Sequence, residues 1–228
     1  MRTVLEVGCG HSILPTYWKL LGINTTVVDI NGNALKWQIL KEKRFSTSGI
    51  AAVLADARFL PFKNKCFNGT SCISSIEHIP YDGDVQAASE MSRVLSDNGI
   101  FVISVPTAEV KEEASTDDWA TGIPASLRKI FGPSLPAIMS KVGVDRKRHY
   151  FERYYSNTGI THRIIRPSNC RIEDQLFLKS RFLMRFLHRK IIPTGVLTLL
   201  EYTLVKFFSL GRRFSQPDAV ILKLARAN

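Results

Sequence analysis

Five short apolar or β-branched runs punctuate the first half of the chain, at 3–7, 24–29, 49–56, 70–75 and 100–106, each ending in turn chemistry. Runs of this length and composition read as buried strands. Between them the apolar residues recur at helical spacing. Residues 13–21 carry Tyr17, Trp18, Leu20 and Leu21 as an apolar stripe, with Pro15 tolerable in a first turn. Residues 33–44 read as a second helix, and 86–95 as a third, with Ala87, Met91, Val94 and Leu95 facing a core. Asp97-Asn98-Gly99 supplies the turn into the fifth strand. Strands alternating with helices predict a doubly wound, mostly parallel α/β sheet.

The second half is less regular. Residues 107–150 hold an acidic start, several prolines and glycines, and the basic run Asp145-Arg146-Lys147-Arg148-His149, and read as a loop-rich insertion or lid over the strand ends. A sixth strand is expected near 171–178 and a seventh, apolar, at 219–225. In 179–214, Arg181, Arg185 and Arg189 recur every four residues with Phe182, Leu183, Phe186 and Leu187 between them, a basic amphipathic helical pattern. Residues 191–200 are uncharged but contain Pro193 and Gly195, well short of the roughly 20 residues that cross a bilayer. A helix lying in the membrane interface, a cap over a greasy substrate, and a subdomain packed on itself or on a second subunit all fit this segment.

With 228 residues and 45% hydrophobic content, one well-cored domain is expected. Its parts are a core at 1–106, the insertion at 107–150 and a C-terminal part at 151–228. The net charge of +11 is uneven: residues 1–106 carry 10 basic and 9 acidic side chains, and the remainder 21 and 11. That asymmetry suits an anionic membrane surface or acidic substrate for the C-terminal part, a solvated basic face, or nucleic acid. Nucleic acid is the least favoured, because the basic residues of 179–214 are interleaved with aliphatic residues and phenylalanines. Cys9, Cys66, Cys72 and Cys170 form neither a Cys-x-x-Cys pair nor a regular framework, so no metal site or disulfide scaffold is indicated and a reducing cytosol suits the chain.

The chemistry concentrates where the first strand meets Gly8-Cys9-Gly10. A glycine turn leading into a helix makes a nucleotide-type site. The third glycine of a dinucleotide fingerprint is replaced by Ile13, and Glu6 would repel phosphate while attracting a cationic ligand, so a nicotinamide-dependent oxidoreductase is disfavoured. Asp29, about twenty residues on at the end of the second strand, can accept from both ribose hydroxyls, or serve as a turn residue in Asp29-Ile30-Asn31-Gly32-Asn33.

Glu6-Val7-Gly8-Cys9-Gly10 resembles the first motif of the class I S-adenosylmethionine-dependent methyltransferases. Asp56-Ala57-Arg58-Phe59-Leu60-Pro61-Phe62 is similar to that family's Asp-Ala-x-x-Leu-Pro-Phe segment, and Glu77-His78-Ile79 to its Glu-His-Ile rim. Arg93-Val94-Leu95 with Gly99, and Arg153-Tyr154-Tyr155-Ser156, match further family patterns. Together they point to the type 11 (UbiE-like) group. The resemblance implies a Rossmann-like seven-stranded sheet with the last strand antiparallel and, here, a helical insertion between strands six and seven. It implies S-adenosyl-L-methionine as cofactor, held by Glu6, Gly8, Cys9, Gly10, Asp29, Ile30, Asp56, Ala57 and Ser74, with Asp56 on the adenine amino group.

His78 becomes the candidate base for an acceptor that must lose a proton. His149, Tyr150, Tyr154 and Tyr155 are weaker candidates. Ser74-Ser75-Ile76-Glu77 stands where related enzymes carry Asn/Asp-Pro-Pro-Tyr to clamp an amino group, which favours a small-molecule or lipid-like acceptor methylated on oxygen or carbon. A non-catalytic protein of this fold, docking on a membrane or partner through 179–214, is the competing expectation. Members usually carry helices before the first strand. Here that strand begins at Thr3, which suits a fragment, a late start, or cover supplied by the C-terminal half. The expected setting is cytoplasmic, peripheral at a membrane if 179–214 docks there.

Overall fold

The computed structural model describes residues 2–45, 49–108, 113–116, 150–178 and 219–227. Its strands are β1 (Thr3–Val7), β2 (Asn24–Asp29), β3 (Ala51–Leu54), β4 (Phe67–Ile73), β5 (Leu95–Pro106), β6 (Glu113–Thr116), β7 (Tyr150–Arg153), β8 (Cys170–Leu178) and β9 (Ala219–Arg226). The helices are α1 (Leu14–Leu20), α2 (Gly32–Arg44), α3 (Gly83–Val94) and α4 (Asn157–Ile160), the last running on through a π turn, Thr161–Ile165, into Arg166–Ser168. A 3-10 turn, Ile76–His78, precedes α3.

Seven strands form one sheet in the order β3-β2-β1-β4-β5-β9-β8. The first five are parallel. β9 runs antiparallel to both β5 and β8, so it alone is reversed. This is the Rossmann-like order expected from the sequence. Strand order reverses between β1 and β4, and in such sheets ligands sit at the carboxyl ends of the strands flanking that switch. The pairings Val7↔Val28 and Asp29↔Leu54 bring the carboxyl ends of β1, β2 and β3 level beside it.

The central strands are apolar because both faces are covered. Leu5, Val28, Phe101, Ile103 and Val105 are buried with Ala87, Ala88, Met91 and Val94 of α3 in the main core, and a smaller cluster of Cys9, Val27, Leu35 and Ile50 lies apart from it. The expected stripe on α1 is not what the helix buries: Pro15 and Thr16 face inward, while Tyr17, Leu20 and Leu21 are more than half exposed. Apolar spacing identified the helix but not its inner face. Leu95 belongs to β5 rather than to α3; it pairs with Phe67, the next pair is Gly69↔Ile100, and the Asp97-Asn98-Gly99 turn loops out at this register shift. Nor is 107–150 simply loop, because β6 within it pairs antiparallel with β7 at its end. The helical reading of 179–214, and most of 107–150, fall outside the described residues.

A fully buried carboxylate ties the C-terminal part to the core. Asp84, at the start of α3, accepts from Tyr155 Oη (2.9 Å), from Arg163 Nε (2.8 Å) and Nη2 (2.7 Å), and pairs with Arg153 Nη1 (2.7 Å). Such a group is tolerated in a core only when its lone pairs are taken. Asp84→Ala should cost about 3–5 kcal/mol, because it strands the buried Arg153; chemical denaturation measures it, and a loss below about 1 kcal/mol would contradict this role.

Candidate active site

The turn after β1 is built to bring backbone close to a ligand. Gly8 and Gly10 have φ of +68° and +42°, in the left-handed region open to glycine. A Cβ on Gly8 would collide with Ser75 Oγ. Gly8 N and Cys9 N both donate to Val28 O, at 2.8 and 3.2 Å. The turn's carbonyls are taken by α2: Gln38 Nε2 donates to Gly10 O (3.1 Å) and Ser12 O (3.0 Å), and Lys41 Nζ to His11 O and to Ser12 O (2.7 Å). Gln38 and Lys41 were not singled out from the sequence. Their signal is their i, i+3 spacing on α2, one turn apart on the same side.

Asp29 lies at the end of β2 with both oxygens engaged, Oδ2 by Gly10 N (2.9 Å) and Oδ1 by Asn31 N (2.8 Å). Each oxygen keeps a further lone pair, and Asp29 lines a cleft with Gly8, Ile30, Ala57, Ser75 and His78. Ile30 is 72% exposed there, an apolar face available to a planar base. Asp56 and Arg58 also line it. Arg58 Nε lies 3.0 Å from both carboxylate oxygens of Asp56, and Nη2 lies 2.6 Å from Oδ2. This pairing holds the Asp56 carboxyl below its ordinary range.

Glu6, Cys9, Gly10 and Ser74 are not in this lining. Ser74, at φ +48°, turns its hydroxyl to Ser104 Oγ (3.2 Å), and Ser75 takes the place in the cleft expected for it. Glu6 is 1% exposed and its Oε2 has no partner among the described residues. Burial pushes its pKa from 4.5 up to about 7, against the opposing influence of the Ser12 hydroxyl and the Lys41 charge. Burial, with the charges of Asp29 and Glu6, pushes the Cys9 thiol up to about 12, which leaves it unreactive.

On the opposite wall, the 3-10 turn carries His78 to the cleft. Its Nδ1 lies 2.9 Å from Phe151 O on β7. A carbonyl only accepts, so Nδ1 carries the proton and the neutral ring has its lone pair on Nε2. Glu77 beside it is buried, and burial lifts its carboxyl to about 7. Of the weaker candidates, the Tyr155 hydroxyl is committed to Asp84 and the Tyr154 hydroxyl donates to Glu152 (3.0 Å). His149 lies outside the described residues.

A larger cavity, about 400 Å³ against 220 Å³, lies between α4 and the β8–β9 pair. Among the described residues no titratable side chain lines it, whereas Asp29, Asp56, Arg58 and His78 line the cleft at the switch point. Fold and site define an α/β domain with a cleft at the switch point, lined by the Asp29 and Asp56 carboxylates and with Glu6 buried behind the glycine turn.

Residues 5–103 match the family model described as Methyltransferase domain, of type 11. Methyltransferase GfsG of Streptomyces halstedii is 30% identical over 155 residues, 62% of this chain and 52% of its own length. Among solved structures, an S-adenosylmethionine-dependent methyltransferase of Clostridium acetobutylicum superposes with a TM-score of 0.62 at 12% identity, over 100% of this chain and 85% of its own. The Burkholderia thailandensis 1,6-didemethyltoxoflavin-N1-methyltransferase, with 1,6-didemethyltoxoflavin and S-adenosylhomocysteine bound, gives 0.60 at 12% identity, over 99% and 71%. These two likenesses are of fold.

Residues 5–103 thus match a methyltransferase domain of type 11, the fold is shared with S-adenosylmethionine-dependent methyltransferases, and S-adenosylmethionine is the cofactor these likenesses support. The chain spans about half the length of the curated relatives it matches. The residues present fit the cofactor. The close approach at Gly8, the spare lone pairs of Asp29, the exposed Ile30 and the orphaned Glu6 oxygen suit a ribose, a base and a cationic amino-acid tail.

Asp29→Ala should weaken S-adenosylhomocysteine binding by about 10- to 100-fold, since hydrogen bonds to a charged group contribute about 1.5–3 kcal/mol; unchanged affinity by calorimetry would remove Asp29 from the site. Glu6 gives a pH test. Its folded pKa is raised, so its protonated form supports the fold below about pH 4.5, and that support is lost as pH rises through about 7. Glu6→Gln should therefore melt above the wild type at pH 8, with the gap closing toward pH 5, while binding S-adenosylmethionine more weakly at pH 8. A Glu6→Gln variant with wild-type melting at pH 8 would contradict the buried-charge cost.

Proposed function

We propose that the protein transfers a methyl group from S-adenosylmethionine to a small-molecule or lipid-like acceptor, at oxygen or carbon, with His78 as the base. The observation that carries this is His78 at the cleft with Nδ1 on the Phe151 carbonyl, which leaves its basic lone pair on Nε2. Bound S-adenosylmethionine supplies an already activated methyl on its sulfonium, so the protein's task is alignment, exclusion of water and disposal of one proton. Asp29 and the Gly8 turn hold the nucleoside end. Glu6, ionised above about pH 7, favours the cationic tail. On transfer of that methyl group to the acceptor, the acceptor's proton would pass to His78.

A small acceptor is supported by the toxoflavin enzyme named above, whose structure holds bound 1,6-didemethyltoxoflavin. Oxygen or carbon is favoured over an exocyclic amine because Ser74-Ser75-Ile76-Glu77 offers no Asn/Asp-Pro-Pro-Tyr clamp. The lipid-like option and any anionic membrane contact rest on the basic amphipathic pattern of 179–214. Transfer of radiolabelled methyl groups to a panel of hydroxylated small molecules and lipids tests the proposal. With a turned-over acceptor in hand, His78→Ala should lose about 10²–10⁴-fold in kcat while still binding S-adenosylhomocysteine; full turnover in that variant would sink the base assignment.

A further inference from the structure

The rim that carries His78 is held by residues far beyond the stretch matched to the family. Between His78 and α3 the chain passes through Tyr81, whose φ of +58° puts a non-glycine residue in the left-handed region. Such a conformation persists when its surroundings over-determine it. The side chain contributes little, being 85% exposed. The backbone is held instead: Tyr81 O accepts from Arg163 Nη2 at 2.6 Å and from Arg153 Nη2 at 2.7 Å. The same Arg163 guanidinium grips Asp84 from two sides and reaches Asp82 Oδ1 at 3.0 Å. The loop under this grip is tight, since Gly83 N donates to Pro80 O (3.1 Å) and a Cβ on Gly83 would collide with Ile79 Cγ2. Arg153 stacks on the ring of Phe151 (5.0 Å), the residue whose carbonyl holds His78 Nδ1.

We propose that Arg163 is a positioning residue for His78, one that fixes the rim and so keeps the imidazole in the Nδ1-protonated tautomer. Arg163 is three-quarters buried and its planar fork engages a carbonyl and two carboxylates at once. A lysine keeps the charge but offers a single point of attachment. Without the fork, the left-handed Tyr81 relaxes, the turn at Ile76–His78 shifts against β7, and the hydrogen bond to Phe151 O loses its geometry. The inference deepens the reading of His78 as the base, and its test does not depend on that reading.

The experiment uses the full chain labelled with ¹⁵N, with the His78 ring nitrogens observed by long-range proton–nitrogen correlation above the pH of ring titration, together with amide hydrogen exchange. The wild type is expected to carry its proton on Nδ1. Arg163→Lys and Arg163→Met are expected to move His78 toward the Nε2-protonated form and to speed exchange of the Tyr81–Asp84 amides, while the β1 and β4 amides keep wild-type protection. Unaltered tautomer and rim exchange in Arg163→Lys overturns the proposal, and that variant decides if Arg163→Met does not fold. Rim exchange that rises only in step with exchange throughout the sheet also overturns it, since a purely structural arginine would act that way. Failure of the base assignment would appear separately, as full turnover in His78→Ala.

Discussion

The turn after β1 is bolted to the end of β2, and the cleft depends on that junction. Two successive amides, Gly8 N and Cys9 N, share the Val28 carbonyl, and a third, Gly10 N, reaches the Asp29 carboxylate. Three donors in a row can converge this way only because Gly8 and Gly10 adopt positive φ. The carbonyls left behind would be orphans beneath the surface, and Gln38 and Lys41 of α2 satisfy them. The glycine turn, the strand-two acid and the second helix are therefore one hydrogen-bonded unit. It leaves Asp29 oriented toward the cleft before any ligand arrives, which is how a site avoids ordering costs on binding.

The cleft's other wall has a different origin. Ser75, His78, Ile79 and Pro80 follow β4, within the stretch matched to the family. His78 is tied to the C-terminal part through the Phe151 carbonyl, and Tyr81 through Arg153 and Arg163, which also hold Asp84 of α3. The cleft lining thus comes from the first half of the chain, and the hydrogen bonds on its His78 rim from both halves. A buried, fully partnered charge cluster suits this task, since it is costly to break and tolerates little variation in geometry.

Much of this was legible in the sequence. The five parallel strands and the acids near the ends of β1 and β2 follow from apolar runs and turn chemistry, both of which are local; the reversed last strand followed from the family resemblance. Three things were not. β6 and β7 are four-residue strands pairing Glu113 with Arg153 across a long separation, too short for period-two alternation to stand out. Which serine enters the cleft turns on the left-handed backbone at Ser74, which re-aims the two side chains and leaves no signature in a Ser-Ser pair. The grips of Arg58 on Asp56 and of Arg163 on Asp84 and Tyr81 are side-chain pairings; composition shows the charges but not their partners.

The central claim is that the cleft at the β1–β4 switch point takes S-adenosylmethionine. Calorimetric titration of the wild-type chain with S-adenosylhomocysteine, the product of transfer, tests it most directly. The account predicts saturable binding in the micromolar range with one site per chain. A folded chain that releases no heat of binding and gains no thermal stability from the ligand would contradict it.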